Sequence, residues 1–332
     1  MKHVFHGAHA RWLISLVVAL LMLVSLPPAA RANNYPNKPI SLVVPYPPGG
    51  TADIMARLLA SELGNHLKQS VVVQNKGGAA GNIAAQAVKA AAPDGYTLIM
   101  GNAPILAINP HLFKDPGFDP VKDFEPITPI ADVPLFLIVH PSAPYKTANE
   151  FVEWAKKNPG KATYASGSAG STTNLAMELF MKQAGFRALH IPYKGSGPAL
   201  TALAAGEVPI MFELMPSAMG MVKNNMVKAV AVTSAARQTT YPDVPTVAES
   251  GYPGFEVASW FGVLAPAGTP KPIIESLAKS ISTVTATPQF KNRLLELGAA
   301  PMAGSPDDFR KLIRAELGKW ESAVKSSGAK AD

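Results

Sequence analysis

Three stretches of the chain concentrate residue types that can grip an anion without using a charge. The first is Pro45-Tyr46-Pro47-Pro48-Gly49-Gly50-Thr51-Ala52-Asp53. Its prolines stiffen the backbone, and its glycines let main-chain atoms approach a ligand with no Cβ in the way. A helix starting here would aim the N–H groups of residues 50–53 outward as an anion site, beside the Thr51 hydroxyl and the Asp53 carboxylate. The competing reading is that Thr51 and Asp53 merely cap that helix. The second stretch is Ser166-Gly167-Ser168-Ala169-Gly170-Ser171-Thr172-Thr173-Asn174. It offers hydroxyls and free N–H groups to a carboxylate, or else forms an ordinary Ser-rich helix cap. The third, Ile191-Pro192-Tyr193-Lys194-Gly195-Ser196-Gly197-Pro198, places Tyr193 and Lys194 within reach of a ligand. Lys194 also reads as a solvated surface charge.

Other chemistries find no pattern. No Lys follows the second stretch, so the phosphate-loop order G-x-x-x-x-G-K-[ST] is missing. A nucleophile elbow fails because Ser166 stands where G-x-S-x-G around Ser168 needs a glycine. The GGAAG run at 77–81 lacks the G-x-G-x-x-G order of a dinucleotide loop. His66, His111, His140 and His190 lie far apart without metal-ligand spacing, and no motif proposes a Ser-His-Asp triad. The absence of Cys excludes a disulfide scaffold, a thiolate zinc site, an iron–sulfur cluster, a Cys nucleophile and a lipid-modified Cys anchor. Neither a metal nor a cofactor is expected.

The elements that must hold these stretches alternate strand with helix. Strands are expected at 40–45, 70–74, 96–100, 135–140, 162–165, 189–192, 208–212, 228–233 and 262–265, where short apolar runs rich in β-branched residues occur. Helices are expected from Thr51, from 77–81 to about Ala91, and over 147–157, 171–184, 197–205, 216–224, 272–285, 288–297 and 306–326. Such alternation argues an α/β class with mainly parallel sheets covered on both faces. Parallel sheets bind ligands at the carboxyl ends of their strands, and each of the three stretches joins a strand end to a helix start. Asn102 and Glu213 follow strands at that same end, where each could line a cleft or cap a loop. Trp260 and Phe261 read as core packing or as a cleft wall. About 300 residues is large for one such sheet, so two lobes are expected. The Pro/Gly-rich stretch 103–134 is a candidate crossing between them.

Residues 1–32 read as an export signal. Lys2 and Arg11 precede the uncharged apolar run 13–26, Pro27-Pro28 break it, and Ala30-Arg31-Ala32 supplies an A-x-A cleavage site, with cleavage expected after Ala32. Fourteen apolar residues reach about 21 Å as a helix, short of a ~30 Å hydrocarbon core. The 332-residue chain carries 30 basic and 23 acidic residues, a net of +7. Removal of Lys2, Arg11 and Arg31 leaves +4, spread singly apart from Lys156-Lys157. No basic run or stripe remains, which argues against nucleic-acid binding. A freely diffusing periplasmic protein is expected.

The ordered set of motifs resembles the Bug family, the periplasmic solute-binding proteins of tripartite tricarboxylate transporters. The motifs are YPNKPI (35–40), VVPYPPGGTAD (43–53), VVVQNKGGAAGNIAA (71–85), PDGYTLIMGN (93–102) and AINPHLF (107–113). HIPYKGSGPAL (190–200), DVPTVAESGYPGF (243–255) and WFGVLAPAGTP (260–270) complete the set. The resemblance runs from about 35 to the C-terminus. It implies a type II periplasmic-binding-protein-like fold with two α/β lobes around a ligand cleft. Lobe one would hold 33–102 plus 227–332, and lobe two 103–226. It implies a ligand that is a small carboxylate: a di- or tricarboxylate, an acidic amino acid or an aromatic acid. The grip would come from Tyr46, Pro48, Gly49, Thr51, Ala52 and Asp53, from Tyr193, Gly195 and Ser196, and from Ser166, Ser168, Ser171 and Thr172. Asn174, where many relatives have His, and Glu213, where Asp is commoner, depart from the family pattern at the variable end of the cleft. The partner implied is a two-component inner-membrane permease. The rival functions are a ligand-sensing receptor feeding a signalling partner and a secreted hydrolase using Ser168 or Ser196.

Overall fold

The computed structural model describes residues 35–327, and the expected signal and its cleavage site lie outside them. No helix among the described residues is long and apolar enough to cross a membrane. In the body formed from Lys38 onward, ten strands join into one sheet that runs β2-β1-β3-β9-β4-β7-β5-β6, with β8 and β10 also paired to β4.

The first half of the sheet is built from β1 (Ile40–Val44), β2 (Val71–Asn75) and β3 (Thr97–Asn102). They are parallel, joined through α1 (Thr51–Leu67) and α2 (Asn82–Lys89). The second half holds β5 (Thr163–Ser166), β6 (Leu189–Pro192) and β7 (Ile210–Leu214), again parallel. Here α4 (Ala148–Lys157), α5 (Thr172–Ala184), α6 (Ser196–Ala204) and α7 (Met215–Lys223) flank the strands. A short helix α3 (Asn109–Leu112) follows a π-helical turn at Pro104–Ile108. The C-terminal helices α8 (Lys271–Thr285), α9 (Pro288–Glu296) and α10 (Pro306–Ser327) complete the chain, with the two-residue β10 (Ala300–Pro301) between the last two.

One long strand connects the halves. Strand β4 (Phe124–Val139) pairs antiparallel with β9 (Ala258–Pro266) over its first part and with β7 and β8 (Lys228–Val232) over its second. The sheet is therefore mixed rather than mainly parallel. The sequence indicated only 135–140 of β4, because Pro126, Pro129 and Pro134 read as loop. Its register against β9 shifts between Pro126 and Thr128 and again between Pro129 and Ala131. Such irregularities accommodate residues that have no N–H to donate.

Period-2 alternation explains the packing of the second half. Leu135, Leu137 and Val139 point into one core with Phe151, Tyr164, Phe180 and Phe212. Phe136 and Ile138 point into the opposite core with Leu200, Met211 and Met215. The first half has a core of its own, where Val43, Ile99, Leu264 and Phe309 meet Ile105, Leu112, Phe118 and Phe124. Residues 103–124 thus pack with the first half, while β8, Val247 and Phe255 pack with the second. The boundaries expected at 102/103 and 226/227 fall inside these units. The chain crosses instead within β4 and again between β8 and β9.

At the second crossing sits Thr233, fully buried. Its Oγ1 donates to Val257 O at 2.6 Å and accepts from Leu135 N–H at 2.8 Å, while its own N–H donates to Leu135 O at 2.9 Å. One threonine therefore ties both connecting segments together.

Candidate ligand-binding site

The three stretches converge on one cavity of about 510 Å³. Tyr46, Pro48, Thr51 and Ala52 border it from the first half, with Asn102 at the end of β3. Ser168, Ser171, Thr172, Tyr193, Gly195 and Ser196 border it from the second. Three helices of 17, 13 and 9 residues, α1, α5 and α6, begin on this wall. The first N–H groups of each helix have no intrahelical acceptor, and their dipoles favour negative charge there.

The first loop is held from behind. Gly49 adopts φ +89°, which a side chain would strain, and its N–H donates to Asp53 Oδ2 at 3.0 Å. Arg57 Nε donates to the same oxygen at 2.9 Å, and Asn75 Nδ2 donates to Asp53 Oδ1 and to Tyr46 O, each at 3.0 Å. Burial would raise the Asp53 carboxyl, but the hydrogen bonds from Arg57, Gly49 and Asn75 hold it below the usual range. Asp53 and Gly49 thus do not border the cavity; they fix the loop that does. Thr51 does not cap α1, whose N-cap is Gly50 with no side-chain bond; its hydroxyl donates to Ser217 Oγ at 3.2 Å.

The second loop is ordered by a buried network. Asn174 Oδ1 accepts from Gly170 N–H at 2.9 Å, and Asn174 Nδ2 donates to Tyr164 Oη at 2.8 Å. Gly170 has φ +71° and lies so close to Leu112 that a Cβ would collide with it. Ser171 caps α5 through the Asn174 N–H. Ser166 is fully buried, donates to Ser168 O at 2.9 Å and lies 2.6 Å from His190 Nε2. It supports the loop and does not border the cavity. Burial lowers His190 to about 4, so the ring stays neutral. Thr172 Oγ1 is enclosed on the cavity wall with no partner.

The third loop continues the pairing of β5 with β6. Tyr193 N–H donates to Ser166 O at 2.9 Å and Gly195 N–H to Gly167 O at 2.8 Å. Gly195 is the N-cap of α6 at φ +112°, a conformation that would strain a side chain, and a Cβ there would lie in ordinary contact with Pro47 of the first loop. Glu213 lies behind this loop, fully buried and away from the cavity. Its Oε1 accepts from Ser196 Oγ at 2.8 Å and Ser217 Oγ at 2.6 Å. Burial pushes its carboxyl up to about 7 against these bonds.

Asn102 serves both of its readings: it borders the cavity, and its Oδ1 accepts from Ile105 N–H and from Tyr46 Oη, each at 3.3 Å. The Trp260-Phe261 pair divides. Phe261 borders the cavity, whereas Trp260 packs edge-on against Phe309 in the core. Lys194 is exposed and is the one charged residue on the rim among the described residues.

A fourth loop, Gly77–Gly81, also forms cavity wall. Four successive residues there, Gly78, Ala79, Ala80 and Gly81, have positive φ, and Asn109 Nδ2 holds the turn by donating to Ala80 O at 3.1 Å. Tested against the dinucleotide pattern alone, this run gives no signal. Its place after the carboxyl end of β2 is the signal that was available.

Two α/β halves, with three helices starting on the wall of the cavity between them, define the architecture of a solute-binding receptor. The comparisons with known proteins agree. Residues 55–329 match the family model described as the tripartite tricarboxylate transporter family receptor, TctC. Protein BugT of Bordetella pertussis is 35% identical over 319 residues, spanning 96% of this chain and 98% of that one. The structure of Rpa4515 from R. palustris with adipate superposes with a TM-score of 0.87 at 38% identity, covering 89% of this chain and 99% of that one. Periplasmic binding protein BugD gives 0.85 at 37% identity, covering 90% and 100%. MatC from Rhodopseudomonas palustris with bound malate gives 0.81 at 32% identity, covering 87% and 100%. The chain belongs to the TctC family of solute-binding receptors. It is a binding protein and not an enzyme, which removes the hydrolase reading of Ser168 and Ser196.

Proposed function

We propose that this chain is an exported periplasmic receptor that captures a small dicarboxylate in its cleft and delivers it to a two-component inner-membrane permease. The observation that carries the ligand class is the convergence of three helix N-termini on a cavity bordered almost wholly by uncharged groups. Two of those helices, α1 and α6, have a glycine N-cap and no side-chain cap, so their first N–H groups remain available to a ligand oxygen. The third adds the unpartnered Thr172 hydroxyl. One carboxylate would sit where Gly50–Ala52 faces Gly195-Ser196, and the other against Ser168 and Thr172. The Tyr46, Pro48 and Phe261 side chains would cover the carbons between. Adipate and malate in the related receptors are diacids of this kind. Closure would follow from contacts made only when both halves embrace the ligand. Export would require loss of residues 1–32 after Ala32.

The test is a thermal-shift screen of the chain from Asn33 onward against adipate, malate, citrate, benzoate, aspartate, a sugar and an amine. A diacid at 100 times its Kd is expected to add ~2.7 kcal/mol of stability, visible as a melting point several degrees higher. A shift with the sugar or the amine and none with any acid would sink the reading.

A further inference from the structure

Neither Glu213 nor Ser217 borders the cavity, yet together they connect its opposing walls. Glu213 Oε1 accepts three hydrogen bonds, from Ser196 Oγ at 2.8 Å, Ser217 Oγ at 2.6 Å and Leu214 N–H at 3.1 Å. Ser196 opens α6, and Ser217 lies in the first turn of α7. Ser217 Oγ then accepts from Thr51 Oγ1, which opens α1 in the other half of the molecule. A continuous line of hydrogen bonds runs from one ligand-facing helix start, through a single buried oxygen, to the other. The second carboxyl oxygen, Oε2, is enclosed with no partner. An enclosed, half-satisfied carboxyl group is a costly way to fill space that an apolar side chain would fill better.

We propose that Glu213 and Ser217 are positioning residues forming a latch that fixes the α1 and α6 N-termini at their ligand-bridging separation and holds the cleft closed before a ligand arrives. The proposal rests on the receptor reading of the cavity. A latch of this kind strengthens binding without touching the ligand, because apparent affinity scales with the fraction of molecules already in the binding-competent state.

The test compares the wild type with Ser217→Ala, which deletes the cross-cleft acceptor. Small-angle scattering of the ligand-free proteins is expected to give a larger radius of gyration for Ser217→Ala, restored by saturating adipate. Calorimetric titration is expected to give adipate binding about three- to tenfold weaker. Ser217→Thr, which keeps a hydroxyl, is expected to behave as wild type. Glu213→Leu is expected to open the ligand-free protein as Ser217→Ala does; if it does not fold, Ser217→Ala decides alone. A ligand-free Ser217→Ala protein as compact as the wild type, with adipate affinity within about twofold, overturns the latch. If neither adipate nor malate binds the wild type, the carboxylate reading fails instead, and the ligand-free scattering still decides the latch.

Discussion

Between pH 4.5 and pH 7, the wild-type protein is expected to lose about 3 kcal/mol of stability that a Glu213→Gln variant keeps. Glu213 is fully enclosed, and burial moves its carboxyl from an ordinary 4.5 to about 7 against the bonds from Ser217, Ser196 and Leu214. In the unfolded chain the group loses its proton near 4.5; in the folded protein it holds the proton until about 7. Across that window the folded state binds more protons, so stability falls as pH rises. The contribution is fully present below about 4.5 and gone above about 7. Other carboxylates titrate in both proteins, so the quantity to follow is the difference between the two urea-denaturation free energies at each pH. A difference that stays constant from pH 4.5 to 8 would show that Glu213 titrates in the folded protein as it does in the unfolded chain.

Thr233→Val is expected to cost about 2–4 kcal/mol. The change conserves shape but leaves Leu135 N–H without its hydroxyl acceptor and Val257 O without the hydroxyl proton. Both groups belong to segments that cross between the halves, and Thr233 between them has 0% exposure. Urea unfolding should show a lower midpoint with an unchanged slope, because the folded state stays compact. A loss below about 0.5 kcal/mol, the scale of a surface substitution, would mean that the junction relaxes around the missing bonds.

The legible part of this molecule is the part governed by local periodicity. The strand Leu189–Pro192 and the helices from Ala148, Thr172 and Pro288 follow apolar spacing and their N-cap residues, and the structure places them within a residue of expectation. The strand-to-helix position of the three Gly/Ser/Thr stretches gives the cavity, because parallel sheets put those turns at one end. Long-range pairing is what local spacing cannot carry. Pro126, Pro129 and Pro134 hide β4, which survives by pairing with β9 through shifted register. The lobe boundaries moved for the same reason, since 103–124 belong to whichever core they pack in.

Residue type identified loops that border the cavity but not which of their residues line it. Asp53, Ser166 and Glu213 have the chemistry of ligand groups and the positions of supports. Each is enclosed and committed to protein partners: Asp53 to Arg57, Asn75 and Gly49, Ser166 to Ser168, and Glu213 to Ser196 and Ser217. The spacing Thr51, Asp53, Arg57 on one helix suffices to make the pair Asp53–Arg57, four residues apart. The Gly77–Gly81 wall was legible in position but not in conformation, because nothing in an alanine pair announces positive φ at both residues.

In the proposed receptor, uncharged backbone and hydroxyl groups recognise the charge of a carboxylate. A calorimetric titration of the wild type with adipate and with adipamide, its neutral diamide of nearly the same shape, tests this most directly. Hydrogen bonds to a charged group contribute about 1.5–3 kcal/mol each, so loss of two charges is expected to weaken binding at least about a hundredfold. Adipate binding with no detectable binding of adipamide is the expected result; equal affinity for the two would contradict anion recognition by the helix N-termini.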